Sequence, residues 1–256
     1  MAVPRALAVD LSTYNIISSS GGYSGSYNFL NLQDYNPSTV WISNTVGGTQ
    51  KLSIDFGTPV SASAIVVDNN NFALMTASFI SVVCGDSADF LTGSLTVVND
   101  VKASGSLFHS NFATQTKRYW GLWFSGGSVK PQVGNLFIGN DLVFSQDYDW
   151  NYKSENNEYV TNSKTALDGT TVSSQVYAGR IIYELKFSLQ SQAFSSNYRS
   201  FVKTIRGRLN PFYFQDADNV TLRYMYLDSD YQPLITRRYQ IYDLDTMKLK
   251  SYASNY

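Results

Sequence analysis

The chain has 256 residues, 43% of them hydrophobic and only 15% charged, with a net charge of −1 and a single cysteine. That length suits one large all-β domain or two ordinary ones, and area scaling buries roughly 70% of the unfolded surface on folding. A near-neutral balance argues against nucleic acid as the first partner, no stretch reaches the length of a transmembrane helix, and one cysteine excludes an intramolecular disulfide.

In chain order, Met1–Asp10 lacks the apolar core of a secretory leader, so none is expected; with the lone cysteine this suits folding in a reducing cytoplasm. Short strands follow one another between Gly, Ser, Asn and Asp clusters. The candidates are Ala6–Asp10, Asn15–Ser18, Val40–Ser43, Lys51–Phe56, Ala62–Asp68, Ser78–Cys84, Leu95–Val98, Tyr119–Phe124 and Asn135–Ile138. Such spacing marks a β-sandwich or barrel. In Lys51–Phe56 the apolar residues Leu52, Ile54 and Phe56 share one face because strand side chains repeat every two residues. Asn69-Asn70-Asn71 reads as a turn whose side chains bond their own backbone. Cys84, closing the apolar run from Phe79, reads as a small core residue.

From about Ser145 to Ser173 the pattern weakens, which predicts a linker over residues 146–172. Beyond it, Ile181, Tyr183, Leu185, Phe187 and Leu189 alternate with polar residues, as in a half-buried strand. Tyr198, Phe201, Val202 and Ile205 then fall at helical spacing, predicting an amphipathic helix capped by Ser195 or Ser196 and stopped at Gly207. The segment Asn210-Pro-Phe-Tyr-Phe-Gln-Asp216 follows, then a hairpin of Leu222–Leu227 with Leu234–Tyr242. Residues 1–149 hold 6 basic against 10 acidic residues, and residues 150–256 hold 13 against 10. Opposite signs in the halves support two domains and favour head-to-tail contact between copies.

Catalytic constellations are absent from the pattern. His109 is the only histidine, so a triad base or a zinc site built from several His and Cys residues has too few members. Glu155, Glu158 and Glu184 are the only glutamates, and the 17 aspartates read as turn residues rather than as a glycosidase pair. The Gly-Gly pairs lack the lysine and helix of a phosphate loop. No enzyme activity, cofactor or metal is expected.

Three stretches carry a resemblance: Thr39-Val-Trp41, Leu52-Ser-Ile-Asp-Phe-Gly57, and Arg118-Tyr-Trp-Gly-Leu122 with Gly134-Asn-Leu-Phe-Ile-Gly139. Together they resemble the galactose-binding-like jelly rolls of the discoidin type, over residues 1–145. The resemblance implies a sandwich that binds sugars or other partners through the loops at one end. Matching loop residues here are Tyr35, Asn36, Trp41, Asn69, Asn70 and Asn71, although a tryptophan at the Trp41 position is more often a core plug of the sandwich. The later order of long strand, helix, Phe-Tyr-Phe-Gln-Asp segment and hairpin is similar to the ring-forming domains of phage tail tubes and distal tail proteins, over residues 173–256. That implies a subunit interface, for which Tyr183, Arg206, Arg208, Tyr224, Arg237 and Arg238 are the candidates.

The expectation is therefore a mostly β protein, an N-terminal jelly-roll sandwich joined to a β domain with one amphipathic helix. The implied role is a structural virion protein of a phage tail tip or baseplate, assembled in the host cytoplasm and present in the tail. It would form a homo-oligomeric ring with itself and touch other phage tail proteins, without nucleic acid binding or membrane insertion. The alternative is an adhesion module that recognises a host-surface carbohydrate.

Overall fold

A computed structural model describes residues 3–18, 25–75, 78–90, 93–99, 105–149, 154–158, 161–175, 180–207, 209–217, 222–228, 235–238 and 241–252. The protein is mostly β and divides into two compact units. Residues 7–141 form one; residues 1–6 join 142–256 in the other. The first six residues thus belong with the C-terminal half.

In chain order the first strands are β1 (Arg5–Leu7), β2 (Asn15–Ser18), β3 (Trp41–Ile42), β4 (Thr49–Val67), β5 (Ser78–Gly85), β6 (Leu95–Val98), β7 (Phe108–Gly126), β8 (Gln132–Val133), β9 (Leu136–Gly139) and β10 (Leu142–Val143). The 7–141 unit is a jelly-roll β-sandwich of antiparallel strands. Its frame is the pair β4 and β7, each 19 residues long, which stay paired from Thr49↔Ser125 to Val67↔Phe108. Their register slips between Asp55 and Val60, where Gly57 takes φ 74°, so the strands curl there instead of running flat. The sequence reading split β4 into two strands at this point; the structure carries the ladder through the bulge. β2 and β9 pair with β4, β5 and β6 extend the sheet beyond β7, and β3 pairs with β8.

The period-two rule sets the core. Leu52 and Ile54 of β4, Ile80, Val82 and Cys84 of β5, and Trp120, Leu122 and Phe124 of β7 all point inward and are buried. Gly121 lies on the opposite face of β7, beside β4. A Cβ there would sit 1.9 Å from the Leu52 carbonyl oxygen, so only glycine fits. Asp55 and Arg118 brace the curl: Nε and Nη2 donate to the two carboxylate oxygens at 2.6 and 2.7 Å. That paired hydrogen bond holds the Asp55 carboxyl below its ordinary value.

The second unit continues with β11 (Ser154–Glu158), β12 (Thr161–Thr165), β13 (Thr171–Gln175), β14 (Arg180–Gln190), helix α1 (Gln192–Ile205), β15 (Phe212–Gln215), β16 (Leu222–Leu227), β17 (Ile235–Arg238) and β18 (Ile241–Ser251). One sheet runs in the order β10-β1-β15-β16-β18-β14-β11, with β17 also on β18. Where the sequence reads as a linker, the structure has β11 laid against β14 and the separate hairpin β12–β13. The expected hairpin of Leu222–Leu227 with Leu234–Tyr242 is rearranged: β16 and β17 both pair with β18 rather than with each other.

Helix α1 starts a turn earlier than the spacing predicts. Ser191 is the cap, its Oγ accepting from the Phe194 amide at 3.2 Å, and Ser195 is buried inside the first turn. The helix ends on Arg206, which takes the left-handed conformation at φ 49°, with Gly207 following at φ 70°. Phe194, Tyr198, Phe201 and Ile205 form its buried stripe. Phe201 meets Phe212 edge-on at 5.0 Å, and Phe194 lies 5.1 Å from Phe144, which stacks on Phe187 at 4.1 Å. In β14, Tyr183, Leu185 and Phe187 face the core as expected, but Leu189 does not. A register shift after Phe187 turns Leu189 outward at φ 58° and buries Gln190, whose Oε1 accepts from the Ser145 amide at 2.8 Å.

Candidate functional site

The loop residues picked from the sequence lie within the jelly-roll unit, and their polar groups are engaged mostly by the backbone of neighbouring segments. Tyr35 Oη donates to the Val9 carbonyl and accepts from the Leu11 amide, both at 3.0 Å. Asn36 is exposed, its Oδ1 accepting from the Ser38 amide at 3.0 Å. Asn69 Nδ2 donates to the Pro37 carbonyl at 2.9 Å, and Gln132 Nε2 donates to Asn69 Oδ1 at 3.2 Å. Asn70 is buried: Nδ2 donates to the Val67 and Ser106 carbonyls, and Oδ1 accepts from the Phe72 amide. Asn71 Nδ2 donates to the Lys130 carbonyl, and its Oδ1 accepts from the Gln132 amide. Only Asn70 bonds its own turn, at Val67 and Phe72, as the sequence reading expected of all three asparagines; Asn69 and Asn71 instead tie the turn to Pro37 and Lys130.

Trp41 offers no stacking platform. It is 0% exposed, lying 6.2 Å from Phe29 and 6.3 Å from Phe124, so it is a core plug. In the second unit Tyr183 is likewise sealed at 1% exposure, behind the sheet, and Tyr224 is buried between Tyr213 and Tyr252. Arg206 is exposed at the end of α1. Arg208 and the side chains of Arg237 and Arg238 lie outside the described residues.

A second arrangement lies on the outer face of the jelly-roll sheet. Trp123 of β7 stands directly between Lys51 of β4 and Ser81 of β5. One row along, Ser125 stands between Thr49 and Phe79. Trp123 is half-buried and Phe79, near the start of β5, is 65% exposed. The Lys51 ammonium sits over the Trp123 ring, 4.6 Å from its centroid. It also donates to the Asp89 carbonyl, and Ser53 Oγ donates to the Ala88 carbonyl at 3.2 Å. The turn holding Ala88 and Asp89 thereby covers the next row, Ser53–Gly121–Val83, and ends the open face on that side. Ser81 Oγ donates to Asn99 Oδ1 at 3.2 Å, extending the Trp123 row past β5.

This face couples two outward aromatic rings to a rim of hydroxyls, one amide and one ammonium. Rings of this kind take up the C–H face of a flat, partly apolar ligand, while the rim groups orient its hydroxyls. The sequence reading missed it by taking Phe79 as one more residue of an apolar run. The available signal was alternation: Phe79 and Trp123 occupy the polar parity of their strands, opposite Ile80 and Leu122.

Other chemistry is sparse. His109 Nε2 lies 3.1 Å from Asn111 Oδ1. Cys84 is buried, and burial pushes its thiol up to about 11. Among the described residues no three His, Cys, Asp or Glu side chains are placed to hold a metal ion, and no helix is long and apolar enough to cross a membrane.

No protein-family model and no curated protein matches the sequence. Among solved structures, the chain is similar to chitosan-binding module 1 of a chitosanase/glucanase from Paenibacillus sp. IK-5, at 14% identity over 51% of this chain and 98% of that one, with a TM-score of 0.42. It is similar to a module of Clostridium perfringens in complex with GalNAc-β-1,3-galactose, at 10% identity over 52% and 99%, TM-score 0.43. A fucose-binding module of Streptococcus pneumoniae is similar at 9% identity over 51% and 96%, TM-score 0.41.

Proposed function

We propose that the chain is a carbohydrate-binding protein, a binder rather than a catalyst, whose jelly-roll unit holds a glycan on its outer sheet face. The observation that carries this reading is the pairing of Phe79 and Trp123, two outward rings on neighbouring strands, with Lys51, Thr49, Ser81 and Asn99 around them. Among the described residues neither ring stacks on another aromatic side chain; Phe79 is largely exposed, and the Lys51 ammonium lies over the Trp123 ring. Glycan-array binding by the whole chain tests it: Trp123→Ala should abolish the signal and Phe79→Ala weaken it, while Asn36→Ala in the loop set leaves it intact. Signal that follows Asn36 instead would move the site to the loop end, and a blank array would remove the reading.

A second reading, a phage tail-tip or baseplate protein that assembles as a ring with itself and with other tail proteins, is favoured by the hairpin β12–β13. Among the described residues Thr161–Thr165 pairs only with Thr171–Gln175; residues 163–171 are exposed wherever their side chains are described, and Leu167 at the tip is fully so. A two-stranded hairpin is marginal by itself and is stabilised by docking on another subunit. Sedimentation velocity from 1 to 100 times a starting concentration tests it: a growing discrete oligomer supports the ring, and an unchanging monomer removes it. On this reading the protein resides in the virion tail, with the sugar-binding face as its contact to the host.

A further inference from the structure

We infer that the outer sheet face takes the interior of a linear glycan chain, several consecutive units laid across strands β4, β7 and β5, rather than a single terminal sugar. The inference rests on the carbohydrate reading and adds the class of ligand.

Three features of the face point that way. First, Phe79 and Trp123 are diagonal neighbours, since Phe79 pairs with Ser125 and Ser81 with Trp123. Diagonal positions on adjacent strands lie about 7–8 Å apart, a separation over which two linked units can each lie against one ring. Second, the polar groups follow the aromatic rings in rows instead of converging on a point. Lys51, Trp123, Ser81 and Asn99 make one row, and Thr49, Ser125 and Phe79 the next. A site that reads one terminal residue surrounds it and bonds several of its hydroxyls at once; here each unit would find one ring or one or two rim groups. Third, the described face has a wall on one side only, the turn over Ser53, Gly121 and Val83 that is tied down through Ser53 and Lys51. On the other side of the Trp123 row, the Thr49–Ser125–Phe79 row lies open among the described residues, with Phe79 65% exposed. A chain can enter and leave without being cut. Each contact is weak in so open a setting, and affinity accumulates with the number of units engaged.

Isothermal titration of the whole protein against gluco-, chito-, galacto- and manno-oligosaccharides of one to six units, and against the matching linear polysaccharides, tests this. The expected result is no measurable binding of any monosaccharide, affinity rising about tenfold or more between two and four to six units of one series, and a plateau beyond. Phe79→Ala should shorten the dependence so that added units no longer help, and Trp123→Ala should remove binding. Both residues sit on the outer face, and unchanged melting temperatures confirm that the variants are folded. A monosaccharide bound as tightly as its hexamer, or oligomer binding untouched by Phe79→Ala, would overturn the inference while leaving carbohydrate binding in place. No binding to any oligomer, polysaccharide or arrayed glycan would remove the carbohydrate reading itself, and the inference with it.

Discussion

Trp41 shows how one side chain can look functional and be structural. Its indole is sealed between Phe29 and Phe124, and its Nε1–H finds no acceptor among the described residues. Trp41→Ala should therefore cost about 3–5 kcal/mol in urea unfolding, as large-to-small core substitutions do. Trp41→Phe should cost far less, because it deletes a donor that makes no bond. Cys84 gives a second residue-scale expectation. With its thiol buried and pushed up to about 11, it should react with a thiol reagent at pH 8 only at the rate of unfolding. Asp55 sets an acid dependence. Because Arg118 lowers its folded value, the pair stabilises above the ordinary carboxyl range, and that contribution fades as pH falls below about 3.9. The stability gap between the native chain and Asp55→Asn should thus be widest near pH 7 and close toward pH 2, as followed by urea unfolding.

Among the elements, those written in a repeating pattern were legible. The Leu52-Ile54-Phe56 parity, the Tyr183-Leu185-Phe187 parity and the Tyr198-Phe201-Ile205 stripe each put most of their residues where period two or 3.6 requires. What the pattern left out was local. Ser191 as cap, a turn ahead of Ser195, depends on one hydroxyl reaching the Phe194 amide, and Ser191→Ala should lower stability by about 1 kcal/mol. The outward turn of Leu189 depends on a bulge that no residue type announces. Gly121→Ala should be strongly destabilising, since its Cβ would meet the Leu52 carbonyl in the most extensive ladder of the unit. As for the site, the loop asparagines were recognisable as turn formers and their ligand role was inferred by resemblance. The Phe79–Trp123 face was hidden because residues 79 and 123 become neighbours only through the β5–β7 register. Sequence spacing carries no trace of that.

At the scale of the whole molecule, the β1 strand decides how the chain is divided. It lies between β10 and β15 in the sheet of the second unit, although residues 7–141 intervene before β10. A fragment of residues 7–141 holds its own core and should fold alone with a cooperative melt. A fragment of residues 142–256 lacks an interior strand; it should melt well below the same fragment with residues 1–6 fused ahead of it. The position of β1 also imposes a timetable on synthesis. Its ladder neighbour β15 leaves the ribosome some 200 residues later, roughly 10–40 s at ordinary elongation rates. During that interval the jelly roll can mature as a guest inside an unfinished host, with β10 the one ladder neighbour of the opening strand to emerge before β15.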